Sequence, residues 1–257
     1  MKHHFVKTEN HHLLAAAIAF MEERGSLSAP LCLIHGDPGV GKTRNICNYG
    51  AENSAVLIKG HVGMNLDGVV WGISKQLGVK HRKNRSEELE DQIAALRSLG
   101  TPMIFDEAQF GLSMRWKKIE SAGIEYVRHL GEMARISVLL ACHNSEVARF
   151  SDSAHIRTRI SHRVELHGAN EADTERFVQE LADVTIGEGV GALVYKQTGG
   201  KYRLIENAIS TLERIAKVKQ CNRIELADVS NMTLVVDHED GLIQKIAPTA
   251  KKSLGSK

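Results

Sequence analysis

The sequence predicts an α/β fold, a parallel sheet flanked by helices, followed by a small C-terminal helical domain. Three observations predict it. Short unbroken apolar runs recur at LCLIH (31–35), AVLI (55–58), PMIF (102–105) and ISVLLA (136–141), and such runs suit strands buried on both faces of a parallel sheet. Segments with helical apolar spacing separate the runs, the alternation expected of parallel connections. Beyond about residue 168 the apolar spacing becomes helical.

The elements follow in order. Leu13, Leu14, Ala17, Ile18 and Met21 place a helix over 11–24, which stops at Gly25. After the second run, Leu66, Val69, Val70, Ile73 and Leu77 mark one helix and Leu89, Ile93 and Leu96 another. Tyr126, Val127, Leu130 and Met133 mark a helix between the third and fourth runs, and a further strand is expected at 164–166. The second domain is read from Phe177 and Leu181, from Leu193 and Val194, and from Leu204, Ile205, Ala208, Ile209, Leu212 and Ile215, with a last helix over 225–235. The expected organisation is an α/β domain at 1–168, a helical domain at 169–237 and a basic, flexible tail at 238–257 ending PTAKKSLGSK.

Composition excludes several classes. With 257 residues, 42% of them hydrophobic and 25% charged, the chain is not collagen-like or mainly disordered. Its 33 Lys and Arg against 31 Asp and Glu leave a net charge of +2, so any nucleic-acid binding has to come from a local basic patch. Cys32, Cys47, Cys142 and Cys221 are scattered without a CxxC pair, which argues against disulfides and thiolate zinc sites. The opening MKHHFVKTENHH has no apolar signal core and no stretch approaches a membrane span, so a cytoplasmic protein without a membrane partner is expected. The adjacent pairs His3-His4 and His11-His12 lack metal-ligand spacing. The one metal expected is Mg²⁺ accompanying a nucleotide.

The strongest chemical signal is Gly36-Asp37-Pro38-Gly39-Val40-Gly41-Lys42-Thr43, directly after LCLIH. It matches G-x-x-x-x-G-K-[ST] in full. The glycines let the backbone wrap phosphates, and the loop opens a helix whose free N–H groups favour an anion. Lys42 is placed to reach the β- and γ-phosphates, Thr43 to ligate Mg²⁺, and Arg44 follows inside the same segment. The second signal, Met103-Ile104-Phe105-Asp106-Glu107, ends an apolar strand in two carboxylates. Asp106 suits the Mg²⁺-holding role and Glu107 suits a water activator, which points to hydrolysis of the bound nucleotide. Cys142-His143-Asn144 ends the 136–141 run, and either His143 or Asn144 fits a polar contact to the γ-phosphate or the lytic water. Arg157, Arg159 and Arg163 precede the expected 164–166 strand. One of them, Arg159 first and Arg163 second, is a candidate for stabilising transition-state charge in a neighbouring subunit. Arg203 opens a helix of the second domain and is a candidate phosphate contact.

Together, GDPGVGKT, MIFDEAQ, SVLLACHN, RTRISHR and TGGKYRLIENAI resemble, in order and spacing, the AAA+ ATPases. Within them the chain is similar to the transposition regulators, the B protein of phage Mu (MuB) and its TnsC and TniB relatives. That resemblance implies a P-loop NTPase core with a helical lid and ATP with Mg²⁺ as cofactors. It also implies self-assembly as a ring or helical filament on double-stranded DNA, largely independent of sequence, and recruitment or stimulation of a transposase. FVKT resembles the segment near the adenine in MuB, which gives Phe5 and Val6 a nucleotide-binding role by carry-over. Two departures stand out. MuB carries a helix-turn-helix domain ahead of the ATPase core, and the position of its sensor Asn falls on Cys142 here. A helicase-loader-like replication protein and a nucleotide-sensing adaptor with little turnover are the competing readings. Lys59 and His61, after the second strand, are the first candidate DNA contacts, by analogy with the filament bore of these relatives. The cluster Lys80-His81-Arg82-Lys83-Asn84-Arg85 and the group Arg115, Trp116, Lys117 and Lys118 follow, because loop cations reach phosphates without reading bases.

Overall fold

The computed structural model describes residues 1–2, 4–23, 30–112, 122–151 and 154–235. The chain divides into two compact units, Lys7–Gly168 and a second built from Met1–Val6 with the chain from Ala169. The expected tail and the Arg115–Lys118 group lie outside the described residues.

The Lys7–Gly168 unit is a five-stranded parallel sheet in the order β2-β3-β4-β1-β5. Its strands are β1 (Leu31–Gly36), β2 (Val56–Lys59), β3 (Met103–Asp106), β4 (Val138–His143) and β5 (Ile160–Glu165). Helices α1 (Glu9–Glu23), α2 (Lys42–Glu52), α3 (Leu66–Leu77), α4 (Arg85–Leu99) and α6 (Ala122–Ala134) carry most of the rest, with short α5 (Gln109–Leu112), α7 (Val147–Ser151) and α8 (Ala154–Arg157).

Alternation along the strands explains the apolar runs. Leu33, Phe105 and Leu140 pack to one side with Val69 and Ile73 of α3, Leu96 of α4 and Leu130 of α6. Ile34, Ile104 and Leu139 pack to the other with Leu14 and Ile18 of α1 and Ile46 of α2. Both faces are covered, so neither set of alternate residues can be polar.

Four of the five strands fall within two residues of the expected positions. β5 starts earlier than expected and takes Arg163 into the strand, where it pairs in register with Leu33. β5 is an edge strand with a single neighbour. Its half-polar ISHRVE sequence is therefore tolerated there and does not stand out as an apolar run.

The second unit contains α9 (Glu171–Leu181), α10 (Val190–Thr198), α11 (Tyr202–Lys219) and α12 (Leu226–Val229), with a two-stranded parallel pair, β6 (Thr185–Ile186) and β7 (Arg223–Ile224). Its core joins Phe177, Val178 and Leu181 to Val194, Ile205, Ile209 and Leu212. The helix expected over 225–235 is only four residues long. Beyond it, the Gln197 amide donates to the Met232 carbonyl at 2.9 Å and accepts from the Leu234 N–H at 2.8 Å, holding that backbone outside a helix.

The N-terminal segment also departs from the expected division at 1–168. Val6 is buried in the core of the second unit, and the Lys2 N–H donates to Leu181 O at 2.8 Å. The Met1 ammonium pairs with Glu213 at 2.9 Å and with Asp183.

Candidate nucleotide site

The parallel register brings the chemical residues to one end of the sheet. Gly36 lies opposite His143 across β1 and β4, and Lys59 lies opposite Asp106 across β2 and β3. The carboxyl ends of parallel strands are where α/β sheets bind ligands.

The loop from Gly36 to Thr43 has the backbone its glycines permit. Gly39 and Gly41 have φ of 87° and 82°, values that side-chain-bearing residues rarely adopt. Gly41 supplies no side-chain cap to α2, so the first N–H groups of that helix are not masked by a capping side chain. Gly36 has a different reason. A Cβ there would stand 2.4 Å from the Leu166 carbonyl oxygen and 2.8 Å from Val40 Cγ2. Since a backbone carbonyl cannot swing aside cheaply, Gly36→Ala is expected to lower stability by about 1–3 kcal/mol, read as a fall in the urea midpoint.

Lys42 is buried, and its ammonium donates to the carbonyls of Gly36 at 2.7 Å and Asp37 at 2.9 Å. Burial pushes its pKa below the ordinary lysine value, against the pull of Glu107, Asp106 and Asp37. A cation held over the hollow of the loop is placed to exchange those carbonyls for phosphate oxygens.

Asp106 is 3% exposed and accepts from Thr43 Oγ1, 3.0 Å from Oδ2. Desolvation raises its pKa, opposed by the Thr43 hydrogen bond, while neighbouring Glu107 adds to the rise. A buried carboxylate and a hydroxyl in contact form a hard-oxygen pair that suits Mg²⁺. Thr43 and Asp106 are the residues that would hold the ion, which would supply charge neutralisation at the phosphates.

Glu107 follows with φ of 54°, a conformation costing a non-glycine residue on the order of 1 kcal/mol. The turn is fixed from several sides. The Glu107 N–H donates to Asp106 Oδ1 at 3.1 Å, and its carbonyl accepts from Phe110 at 2.9 Å. A Cβ on Gly60 would meet that same carbonyl oxygen at 2.3 Å. The Glu107 carboxylate accepts from Gln109 Nε2 at 2.5 Å and lies 3.4 Å from His143 Nε2. Gln109 joins the site from the MIFDEAQ segment, where no motif marks its position.

The three candidates at the end of β4 separate cleanly. Cys142 is buried in the core, and desolvation pushes its thiol up to about 12, so it is neutral. His143 faces Glu107. Asn144 instead serves the loop, donating to Asp37 Oδ1 at 2.9 Å while its Oδ1 lies 2.7 Å from His35 Nδ1.

Of the remaining candidates, Arg203 and Phe5 lie in the second unit. Arg159 is paired within its own chain to Glu132 of α6 at 3.4 Å, and Arg163 is exposed on β5. Arg44 is exposed on the first turn of α2. Arg203 is exposed at the second position of α11, and Phe5 is half-buried in the same unit. Lys59 is exposed at the end of β2, where its charge favours ionised Asp106. His61 is exposed beside Val62 and Gly63, the latter at φ 87°. In the 80–85 cluster, Lys80 and Lys83 are exposed. Arg82 is tied to Asp91 at 2.8 Å and Glu87 at 3.3 Å, and Arg85 to Asp67 and to buried Glu88. Lys117 and Lys118 fall outside the described residues.

Comparison with known proteins agrees with this geometry. Residues 26–150 match the family described as the AAA domain. No curated protein matches the chain. Cdc6p from Pyrobaculum aerophilum has a similar structure, with a TM-score of 0.64 and 16% identity over 90% of this chain and 68% of that one. The RuvB Holliday junction branch migration motor of Thermotoga maritima gives 0.58 and 17% identity, over 87% of this chain and 67% of RuvB. The Aeropyrum pernix ORC1 protein, solved in complex with DNA, gives 0.55 and 14%, and the match covers 88% of this chain and 64% of ORC1. The order of the parallel strands, the loop of glycines 36, 39 and 41 on β1, and these likenesses identify the fold as that of the AAA+ P-loop NTPases.

Proposed function

We propose that the protein is an ATPase that assembles with its own copies on double-stranded DNA and recruits or stimulates a transposase. The observation that carries the ATPase part is one constellation at the sheet's carboxyl end. Lys42 lies over the loop, Thr43 contacts Asp106, and Glu107 is gripped beside them by Gln109 and faced by His143. Lys42 and the loop amides hold the triphosphate; Thr43 and Asp106 hold the metal ion. Glu107 orients and deprotonates water, while Gln109 and His143 fix its carboxylate. Hydrolysis in such a site is mostly positioning and charge neutralisation. Arg159, released from Glu132, or Arg163 on the edge strand supplies transition-state charge to a neighbouring protomer.

The transposition role is supported by the sequence resemblance to the Mu B protein type. The DNA role is supported by exposed Lys59, His61, Lys80 and Lys83, and by the structural neighbours RuvB, a Holliday junction branch migration motor, and ORC1, solved in complex with DNA. Arg82 and Arg85 complete the same cluster, with carboxylate partners from which phosphate has to draw them.

A salt titration of duplex binding tests the DNA surface. Three lysine–phosphate contacts predict a slope of about −3 in log affinity against log salt, or a fall of roughly 40-fold from about 50 to about 200 mM. A flat titration would remove these lysines from the interface. Electron microscopy with duplex DNA and ATP tests the assembly: nucleotide-dependent filaments support the transposition reading, and closed rings favour a helicase loader.

A further inference from the structure

We infer that Asn10 is a positioning residue that couples phosphate binding in the Gly36–Thr43 loop to the His167–Gly168 connector leading into the second unit. The inference rests on the loop being a nucleotide site, as proposed above, and goes beyond it by naming how occupancy leaves that site.

Asn10 sits in the first turn of α1, only 4% exposed, and every hydrogen of its amide is used across the chain. Nδ2 donates to the Val40 carbonyl at 3.1 Å and to the His167 carbonyl at 2.7 Å. Oδ1 accepts from the His167 N–H at 3.1 Å. One side chain thus holds a loop peptide and both backbone groups of a connector residue.

The Val40 peptide matters because of what shares its plane. In a trans peptide the carbonyl and the following N–H point in opposite directions. Pinning Val40 C=O from the α1 side therefore turns the Gly41 N–H to the other side. The Gly41 carbonyl is held in turn by the Asn45 N–H and by Asn45 Nδ2, both at 3.0 Å. Both peptides flanking Gly41, at φ 82°, are thereby oriented.

The connector is tied to the loop a second time. The Leu166 N–H donates to the His35 carbonyl at 2.8 Å, and the Leu166 carbonyl occupies the space a Cβ on Gly36 would need. After His167 a single residue, Gly168, remains before the second unit begins at Ala169, and Lys7, where the chain enters this unit, lies three residues before Asn10. Hydrogen bonds in a chain polarise one another. A phosphate accepting from the Gly41 N–H strengthens the Val40 carbonyl as an acceptor for Asn10 Nδ2; the amide so polarised makes Oδ1 a stronger acceptor and firms its hold on the His167 N–H.

The test uses the full chain, with Mg²⁺ and ATP as the probe. ATP affinity of the wild type is measured first; no binding would sink the nucleotide-site reading itself. Given binding, amide hydrogen exchange at His167 is followed with and without nucleotide. The expected result is slower exchange at His167 when ATP is bound. Asn10→Ala, which orphans a loop carbonyl, should weaken ATP about tenfold and abolish that nucleotide-dependent protection. A purely structural Asn10 would lower the melting temperature and leave ATP affinity unchanged, which would overturn the proposal. So would a His167 amide that ATP leaves unchanged in the wild type, a measurement that stands even where Asn10→Ala fails to fold.

Discussion

Replacing Glu107 with Gln is expected to lower ATP turnover by about 100- to 1,000-fold while leaving ATP binding near the wild-type value. The substitution keeps the shape and the contact with Gln109, so the strained turn at φ 54° has no new reason to relax. What is lost is the carboxylate's ability to take a proton from water. Because hydrolysis then no longer empties the site, the variant should also persist on duplex DNA far longer than the wild type. Phosphate release and DNA dissociation, measured on the same preparation, check both halves. An unchanged turnover rate would remove Glu107 from the water-activating role. If wild type and variant both turned over negligibly and dissociated alike, the protein would be the nucleotide-sensing adaptor.

Lys42→Ala is expected to weaken ATP by about 10- to 100-fold, the worth of a charge-assisted contact to phosphate, and to abolish ATP-dependent self-assembly on DNA. The effect on the empty protein should be small. Lys42 donates to the Gly36 and Asp37 carbonyls, but the loop's path is set independently by Gly39, Gly41, Asn45 and Asn10. Equilibrium binding of a fluorescent ATP analogue and light scattering with duplex DNA measure the two consequences. Assembly that survives the substitution would show that the triphosphate is not what joins the protomers.

These two substitutions act on residues that the sequence marks by itself, and the reason is local. The loop's glycines satisfy backbone requirements over eight consecutive residues, and Lys42 and Thr43 follow because a helix must start there. Asp106 and Glu107 are marked because two adjacent carboxylates end an otherwise apolar run directly behind the strand positions that two-sided burial keeps apolar. The central strands are legible for the same reason: burial on both faces removes polar residues from Leu33, Ile104 and Leu140 and their neighbours. The start of β5 is not legible because an edge strand needs no such run, and β6 and β7 are too short to carry a period.

Other parts of the site depend on pairs distant in sequence. That His143 faces Glu107 while Asn144 serves Asp37 follows from the register of β4 between β3 and β1. That Arg82 pairs with Asp91 and Glu87, while exposed Lys80 and Lys83 flank it, follows from how α4 packs beside the loop. Asn10 is the sharpest case. In the sequence it is a polar residue near a helix start, and only the fold brings Val40 and His167 to its amide.

The amino-acid sequence alone therefore determined the layered α/β plan and the phosphate loop, because backbone conformation and two-sided burial constrain residues that are neighbours along the chain. The tertiary structure alone decided which side chains meet around Glu107, which cations remain outside ion pairs with their neighbours in the 80–85 cluster, and how the loop is tied to the connector. Those outcomes depend on strand register and helix packing, which join residues tens to more than a hundred positions apart.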